Sequence, residues 1–160
     1  MTAMMQNARH RGFTLIELIV VVTILGVLAS LAGPSFRDFI ATQRIRNAAS
    51  DLLADLMLAR SEALRRNGVV TVKATNTSWA DGWSIVAGAE TVKQRSLTSS
   101  TLTMAIASGS DNEISFNAAG RPVGDFRMVF TAANLARDDQ QRCVVSNSAT
   151  GMKIVKGPCS

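Results

Sequence analysis

The sequence contains few of the side chains that catalytic and metal sites require. His10 is its one histidine, and Cys143 and Cys159 are its two cysteines. A nucleophile activated by histidine and a zinc site both need more such residues than these. Glycine-rich phosphate-binding motifs and calcium loops do not occur either. We therefore expect no enzyme activity, no metal site and no cofactor.

Negative charge is absent from residues 1–12, and charge of either sign is absent from Leu18 to Phe36. An apolar run of this length matches the ~20 residues that a helix needs to cross a bilayer. Arg9 and Arg11 precede the run, and positive charges keep their end of a membrane span in the cytoplasm. We predict one membrane-spanning helix, with the rest of the chain on the far side.

A secretory signal peptide is the alternative interpretation of this segment. The apolar run is longer than the roughly 7–15 residues of a signal peptide's apolar region. It also lacks a small-x-small cleavage site followed by polar sequence. The pattern therefore favours a helix that stays attached to the mature protein.

Glu17 lies at the start of the apolar segment, where a carboxylate is costly unless it has a partner. It belongs to the stretch RGFTLIELIVVVTILGVLASLAGPSF, which resembles the N-terminus of type IV prepilins and of the pseudopilins of type II secretion. The resemblance implies that a prepilin peptidase cuts between Gly12 and Phe13 and that the new amino terminus, Phe13, is methylated. It also implies that Glu17 pairs with the Phe13 amine of a neighbouring subunit, and that Gly26 and Pro34 weaken the helix.

Beyond Pro34 the apolar residues recur at helical spacing and form one stripe on an amphipathic helix. Charged residues such as Asp51 and Asp55 are assigned mostly to its other faces. Asn67-Gly68 is a stop signal, so we predict a helix from about Phe13 to about Arg66. The stripe consists of Ile45, Ala49, Leu52, Leu56, Ala59 and Ala63.

From Val69 onward the pattern changes to short strands separated by turn residues. We predict one antiparallel sheet, or two, packed on the apolar stripe, with Trp79, Trp83 and Phe116 in the core. The fold class is α+β, with a long, partly transmembrane N-terminal helix packed against an antiparallel β-sheet domain, the lollipop of pilins. The predicted strands are 69–74, 82–87, 91–97, 101–107, 113–117, 126–132, 142–147 and 152–156.

These features divide the chain into four segments. Residues 1–12 are the prepilin leader peptide, and residues 13–36 are the hydrophobic helix for membrane insertion and assembly. Residues 37–67 continue as the amphipathic helix into the globular domain. Residues 68–160 form the β-rich domain with a C-terminal disulfide loop.

Three stretches of the second half narrow the resemblance. ARSEALRRNGVVTV, DGWSIV and ISFNAAGRPV are similar to the GspH/FimT group of minor pilins and pseudopilins. The similarity covers nearly the whole chain and is looser after residue 125.

Cys143 and Cys159 can form a disulfide or remain as two thiols. The predicted span places both outside the cytoplasm, where disulfides persist. We therefore predict a Cys143–Cys159 bridge that closes a short C-terminal loop.

The C-terminal stretch is basic, although the net charge of +5 for the whole chain is too small to indicate nucleic acid binding. Some FimT-type proteins bind DNA through a Gly-Arg-x-Arg turn, and here the corresponding stretch GMKI at 151–154 departs from that motif. Candidate phosphate contacts are Arg137, Arg142, Lys153 and Lys156, with a solubilising charged surface as the alternative.

The resemblance implies a minor type IV pilin near the tip of a pilus, supporting assembly, adhesion or twitching. The protein would first be a single-pass inner-membrane protein with a periplasmic domain, and then part of the pilus at the cell surface. Its partners would be other pilins, the prepilin peptidase and the membrane. The alternatives are a receptor for double-stranded DNA in natural transformation and a minor pseudopilin of a type II secretion system.

Overall fold

A computed structural model of the chain describes residues 13–97, 101–109, 112–133, 138–147 and 151–159, with the backbone alone at 31–35. The chain divides into two compact units, Met1–Arg37 and Asp38–Ser160. One α-helix, α1, spans Leu15–Arg66, which agrees with the predicted helix to within two residues.

The large apolar side chains at the start of α1 are exposed. From Phe13 to Leu28 their relative exposure lies between 45% at Val21 and 83% at Phe13. Covering the part of each side chain that is still exposed would contribute ~1 kcal/mol. Among the helices that the described residues form, none is both long and apolar enough to cross a membrane. The predicted span includes residues 31–35, whose side chains lie outside the described residues, and it stays a prediction.

Gly26 and Pro34 both lie within α1, and the helix is assigned without a break at either position. A side chain added at Gly26 would meet no atom of the described residues within 4 Å, so no contact among them requires glycine there. The predicted weakening of the helix at these two positions stays a prediction.

The second half of α1 buries the predicted apolar stripe completely. Its residues line one face of the helix and pack against the inner faces of the sheets, so the helical spacing identified the core-facing side correctly. The fully buried stripe residues are Ile45, Ala49, Leu52, Leu56, Ala59 and Ala63.

The helix ends at the predicted stop signal through a defined hydrogen-bonded cap. Asn67 adopts a left-handed conformation with φ of 49°, and its amide donates to the Leu64 carbonyl at 3.3 Å. The Gly68 amide donates to the Ala63 carbonyl at 3.1 Å. These two bonds form a Schellman motif, which satisfies carbonyls that the last helical turn leaves free.

Eight strands form two antiparallel four-stranded sheets, which confirms the predicted α+β class. The first sheet has the order β3-β2-β1-β5, and the second sheet has the order β4-β6-β7-β8. A 3-10 turn, Asp138–Gln140, precedes β7. The strands are β1 Val70–Thr75, β2 Ser78–Ala87, β3 Glu90–Ser96, β4 Leu102–Ser108, β5 Glu113–Phe116, β6 Phe126–Ala132, β7 Arg142–Asn147 and β8 Gly151–Lys156.

Strand β2 is longer than predicted, because it begins at Ser78 rather than Gly82. Asn76 and Thr77 have φ values of 50° and 62°, and Thr75 pairs with Ser78 across them. Two left-handed residues in succession are the geometry of a tight hairpin turn. The turn therefore takes two residues, and Trp79 enters the strand and is buried.

The core lies between α1 and the inner faces of the sheets. Trp83, Phe116 and Phe130 are fully buried, and Trp79 is 2% exposed. The predicted core role of both tryptophans and of Phe116 is therefore confirmed.

One carboxylate, Asp55 of α1, is also buried, with 1% exposure. Its Oδ2 accepts hydrogen bonds from Trp83 Nε1 and Arg95 Nε, both at 2.9 Å, and its Oδ1 accepts one from Lys93 Nζ at 2.6 Å. The prediction that Asp55 lies with the charged residues on the other faces of the helix is therefore wrong. Because β3 is an edge strand, the two cations that it sends inward attach it to the helix.

Burial raises the pKa of the Asp55 carboxyl, but hydrogen bonds from Lys93, Arg95 and Trp83 together lower it by more. The pKa in the folded chain is therefore below the ordinary value of about 3.9. As the pH falls, the unfolded chain binds this proton first. The stabilisation is present above about pH 4 and is lost as the pH drops through the folded pKa.

The substitution Asp55→Asn is expected to lower the free energy of unfolding by about 3 kcal/mol at neutral pH, because two cations lose their carboxylate. The loss should become smaller as the pH falls below about 4, because the unfolded wild-type chain then binds a proton at Asp55 more readily than the folded chain does. Urea titrations of the full chain in detergent measure both values.

The matched control is Asp51→Asn, which removes a carboxylate 44% exposed and 3.2 Å from Arg95. A pair this accessible to water contributes less than about 1 kcal/mol. Equal losses for the two variants would contradict a special role of the buried carboxylate.

Candidate assembly site

The first turn of α1 is closed by reciprocal hydrogen bonds between Thr14 and Glu17. The Thr14 amide donates to Glu17 Oε2 at 2.8 Å, and the Thr14 hydroxyl donates to the same oxygen at 2.9 Å. The Glu17 amide donates to the Thr14 hydroxyl oxygen at 3.3 Å. This is a capping box, which satisfies amides that the start of a helix leaves unpaired.

The capping box changes the interpretation of Glu17. The sequence analysis treated its carboxylate as lacking a partner within the chain, although the Thr-x-x-Glu pattern in TLIE was a signal for this cap. Both bonds from Thr14 end on Oε2, and within the described residues no hydrogen bond reaches Oε1. One oxygen is therefore held in place, while the other is open to a further donor.

The surroundings of Glu17 are apolar and open. Phe13, Ile16, Val20 and Val21 line a shallow hollow on the same side of the helix as Glu17. Gly12 lies outside the described residues, so cleavage between Gly12 and Phe13 and methylation of Phe13 stay predictions. In the predicted product, the new amine would lie one residue before the capping box.

The predicted disulfide between Cys143 and Cys159 is present, with the two Cα atoms 5.3 Å apart. It joins the start of β7 to the chain just beyond β8. The bridge closes a loop of 16 residues, for which the chain-entropy account gives about 3 kcal/mol of stabilisation.

The predicted DNA-contacting residues do not gather on one surface. Lys153 pairs with Val145 and Lys156 pairs with Arg142, so the two lysines project from opposite faces of the second sheet. Arg142 is buried, and Arg137 lies outside the described residues.

The second sheet carries one exposed cation that the sequence analysis did not single out. Arg127 of β6 pairs with Val145 of β7, which pairs with Lys153 of β8. Arg127 and Lys153 therefore share the outer face, on either side of Val145. Only the order of the strands brings them together, so spacing along the sequence gave no signal.

We also looked for a metal site among the described residues between 13 and 159. No three His, Cys, Asp or Glu side chains lie close enough together there to hold an ion.

Two family profiles match the chain. The profile described as "Type II transport protein GspH" matches residues 48–150. The profile described as "Prokaryotic N-terminal methylation motif" matches residues 7–33, which include the predicted cut and Glu17.

Curated relatives include fimbrial proteins. A fimbrial protein of Moraxella nonliquefaciens is 38% identical over 79 residues, which are 49% of each chain. The type IV major pilin protein PilA of Myxococcus xanthus is 50% identical over 48 residues, 30% of this chain and 22% of PilA. The chain thus spans about half, or less, of the length of the curated relatives that it matches.

Two solved structures have a similar fold. The type IV minor pilin FimU of Pseudomonas aeruginosa superimposes with a TM-score of 0.62 at 24% identity, covering 76% of this chain and 98% of FimU. The minor pseudopilin EpsH of the Vibrio cholerae type 2 secretion system gives a TM-score of 0.55 at 14% identity, covering 70% and 96%. These likenesses support the pilin α+β fold.

The substitution Thr14→Val is expected to loosen the first turn of α1. It removes the hydroxyl that donates to Glu17 Oε2 and that accepts a hydrogen bond from the Glu17 amide. An N-cap of this kind contributes about 1 kcal/mol, so amide hydrogen exchange at Glu17 should speed up about fivefold. The measurement uses the full chain in detergent micelles.

Thr23→Val is the control, since Thr23 lies in the same exposed helix and its hydroxyl donates to the Ile19 carbonyl at 2.7 Å. It should leave exchange at Glu17 unchanged. Thr14→Ser should keep the cap and wild-type exchange. Exchange at Glu17 that is unaffected by Thr14→Val would show that the capping box is not formed.

Proposed function

The chain belongs to the family of the type II transport protein GspH, and on that premise we propose that it is a minor type IV pilin placed near the tip of a pilus. Family and fold agree on a minor pilin or pseudopilin. That the chain belongs to a pilus, and that it lies near the tip, is what we propose beyond this. The role is structural rather than enzymatic.

The exposed apolar start of α1 is the observation that carries the proposal. From Phe13 to Leu28 the chain presents large apolar side chains that its own fold does not cover. Lipid can cover them before assembly, and helices of neighbouring subunits can cover them in a fibre. The match to the N-terminal methylation motif over residues 7–33 supports the same order of events.

In this order of events, the prepilin peptidase removes residues 1–12 at the inner membrane and Phe13 becomes a methylated amino terminus. The domain lies in the periplasm while the helix start remains in the membrane. Assembly with other pilins then transfers the helix start from lipid into the fibre. Because the cut lies before the apolar segment, the mature chain keeps the surface that packs.

Glu17 supplies the specific contact in this proposal. Thr14 fixes Oε2, and Oε1 has no donor within the described part of the chain. The Phe13 amine of a neighbouring subunit is a donor of the required charge. Since an ion pair gains strength where water is excluded, this contact would form as the subunit enters the fibre.

A pilus is favoured over a type II secretion system by the sequence relatives. The structural neighbours include proteins of both systems, so the fold is compatible with each. The first sequence relatives are fimbrial proteins, with identities of 38–39%. A minor pseudopilin stays the alternative.

A receptor for double-stranded DNA is a second alternative, with narrower support. Arg127 and Lys153 share an exposed face, and phosphate contacts need only such cations. Lys156 lies on the opposite face, and its Nζ is 3.4 Å from Asp139 Oδ2. The second sheet therefore offers two cations on its outer face rather than the larger patch that the sequence analysis considered.

Glu17→Gln is the sharpest test of the pairing, because the amide oxygen can still accept from Thr14 while the charge is gone. The variant should be cleaved and stay in the membrane, but its amount in sheared pili should fall about tenfold, as expected for a loss of about 1.4 kcal/mol. Quantitative immunoblotting of sheared pili and of membranes measures both pools.

Glu17→Ala removes the charge and the cap together, and it should lower incorporation at least as far. Thr14→Val weakens the cap and keeps the charge, so it should have the smaller effect. Normal incorporation of Glu17→Gln would refute the charge pairing and leave the predicted cleavage unaffected.

A further inference from the structure

Arg142 is a buried cation, and no carboxylate of the described residues is bound to it. The residue is 9% exposed, and its Nη1 donates to the main-chain carbonyls of Asp139 and Gln141 at 3.0 and 2.6 Å. Within the described residues, no acidic oxygen lies within ion-pair distance of its guanidinium. Burying a charge is costly unless an opposite charge accompanies it, so this site lacks a partner.

Further positive charge surrounds Arg142. Lys156 is its direct partner in the register of β7 and β8, so the two side chains project from the same face of the second sheet. Burial lowers the pKa of Arg142, and the nearby positive charge of Arg46 on α1 lowers it further. The Asp139 carboxylate raises that pKa and offsets only part of the effect.

Asp139 does not neutralise this group of cations. Its Oδ2 lies 3.4 Å from Lys156 Nζ, and the two side chains are 57% and 64% exposed. A pair that is this exposed contributes less than about 1 kcal/mol and leaves Arg142 without a bound carboxylate. Among the described residues, Arg142 and Lys156 thus share one face of the second sheet, Arg46 of α1 adds positive charge near Arg142, and the Asp139 carboxylate pairs with Lys156.

We propose that Arg46, Arg142 and Lys156 form an oxyanion-binding site that receives a carboxylate of the adjoining subunit in the fibre. Arginine suits this role because its planar guanidinium offers parallel donors to both oxygens of a carboxylate. The proposal rests on the proposed function, since the fibre supplies the neighbour.

A carboxylate of a neighbouring subunit fits this site better than the backbone of duplex DNA. Arg142 is nine-tenths buried, on the face of β7 where Val144 is also buried. A duplex is contacted by protruding cations, and here these are Arg127 and Lys153 on the opposite face. A single acidic side chain needs less room than a duplex to approach a recessed guanidinium.

The first test is charge reversal at exposed members of the site in the full chain. Arg46→Glu and Lys156→Glu are each expected to lower the amount of the protein in sheared pili about tenfold, while the amount in membranes stays constant. Arg44→Glu is the matched control, because Arg44 is also exposed but lies two positions away and projects from another side of the helix. Its incorporation should equal that of the wild type.

A second measurement uses inorganic phosphate and acetate as probes, with the full chain in detergent at constant ionic strength. Either anion should raise the melting temperature of the wild type and of Arg44→Glu, and neither should raise that of Arg46→Glu. No shift in the wild type would overturn the oxyanion site. If Arg46→Glu and Lys156→Glu enter pili as well as Arg44→Glu does, the site does not bind a carboxylate of the adjoining subunit.

Two further outcomes are decisive. If Arg46→Glu enters pili normally but loses binding to duplex DNA, the site serves phosphodiesters and the proposal fails. If the wild type responds to phosphate but is absent from pili, the proposed function fails, while the oxyanion site stands. If replacing an acidic residue of a co-assembling pilin by lysine restores the incorporation of Arg46→Glu into pili, that acidic residue is the partner carboxylate.

Discussion

The exposed apolar surface at the start of α1 is the constraint on which the other features of this protein depend. It presents about a dozen large side chains between Phe13 and Leu28. Because most of them are already about half covered, each would gain ~1 kcal/mol on full burial, and together this is comparable with the ~5–15 kcal/mol that stabilises an ordinary domain. In the proposed role, lipid covers this segment before assembly and helices of neighbouring subunits cover it in the fibre.

The second unit can accompany this change of surroundings because it has a core of its own. The apolar stripe of α1 is fully covered by the two sheets, and the Asp55 network attaches the edge strand β3 to the helix. The disulfide ties the end of the chain to β7. None of these contacts involves the exposed part of α1 between Phe13 and Leu28.

Periodicity predicted the elements of this fold well and its polar contacts poorly. The stripe from Ile45 to Ala63 follows directly from helical spacing, and the strands follow from turn residues and alternation. Asp55 was misplaced because it borders the stripe, and its burial depends on cations from β3 that only the sheet order brings near. Likewise, Lys153 and Lys156 lie on opposite faces of the second sheet because side chains alternate along a strand. The pairing of the strands places Lys153 on the same face as Arg127, and Lys156 on the same face as Arg142. The capping box of Thr14 and Glu17 follows from a local Thr-x-x-Glu pattern, so it could be predicted from the sequence without knowledge of the sheets.

The most direct test of the central claim is the intact mass of the subunit recovered from sheared pili, combined with sequencing of its N-terminal peptide. The account predicts a chain that begins at N-methylated Phe13 and retains the whole apolar segment. A fibre-borne chain that begins at Met1 would contradict it. So would a mature chain that begins beyond residue 36 and is absent from pili, because that product would lack the surface on which assembly depends.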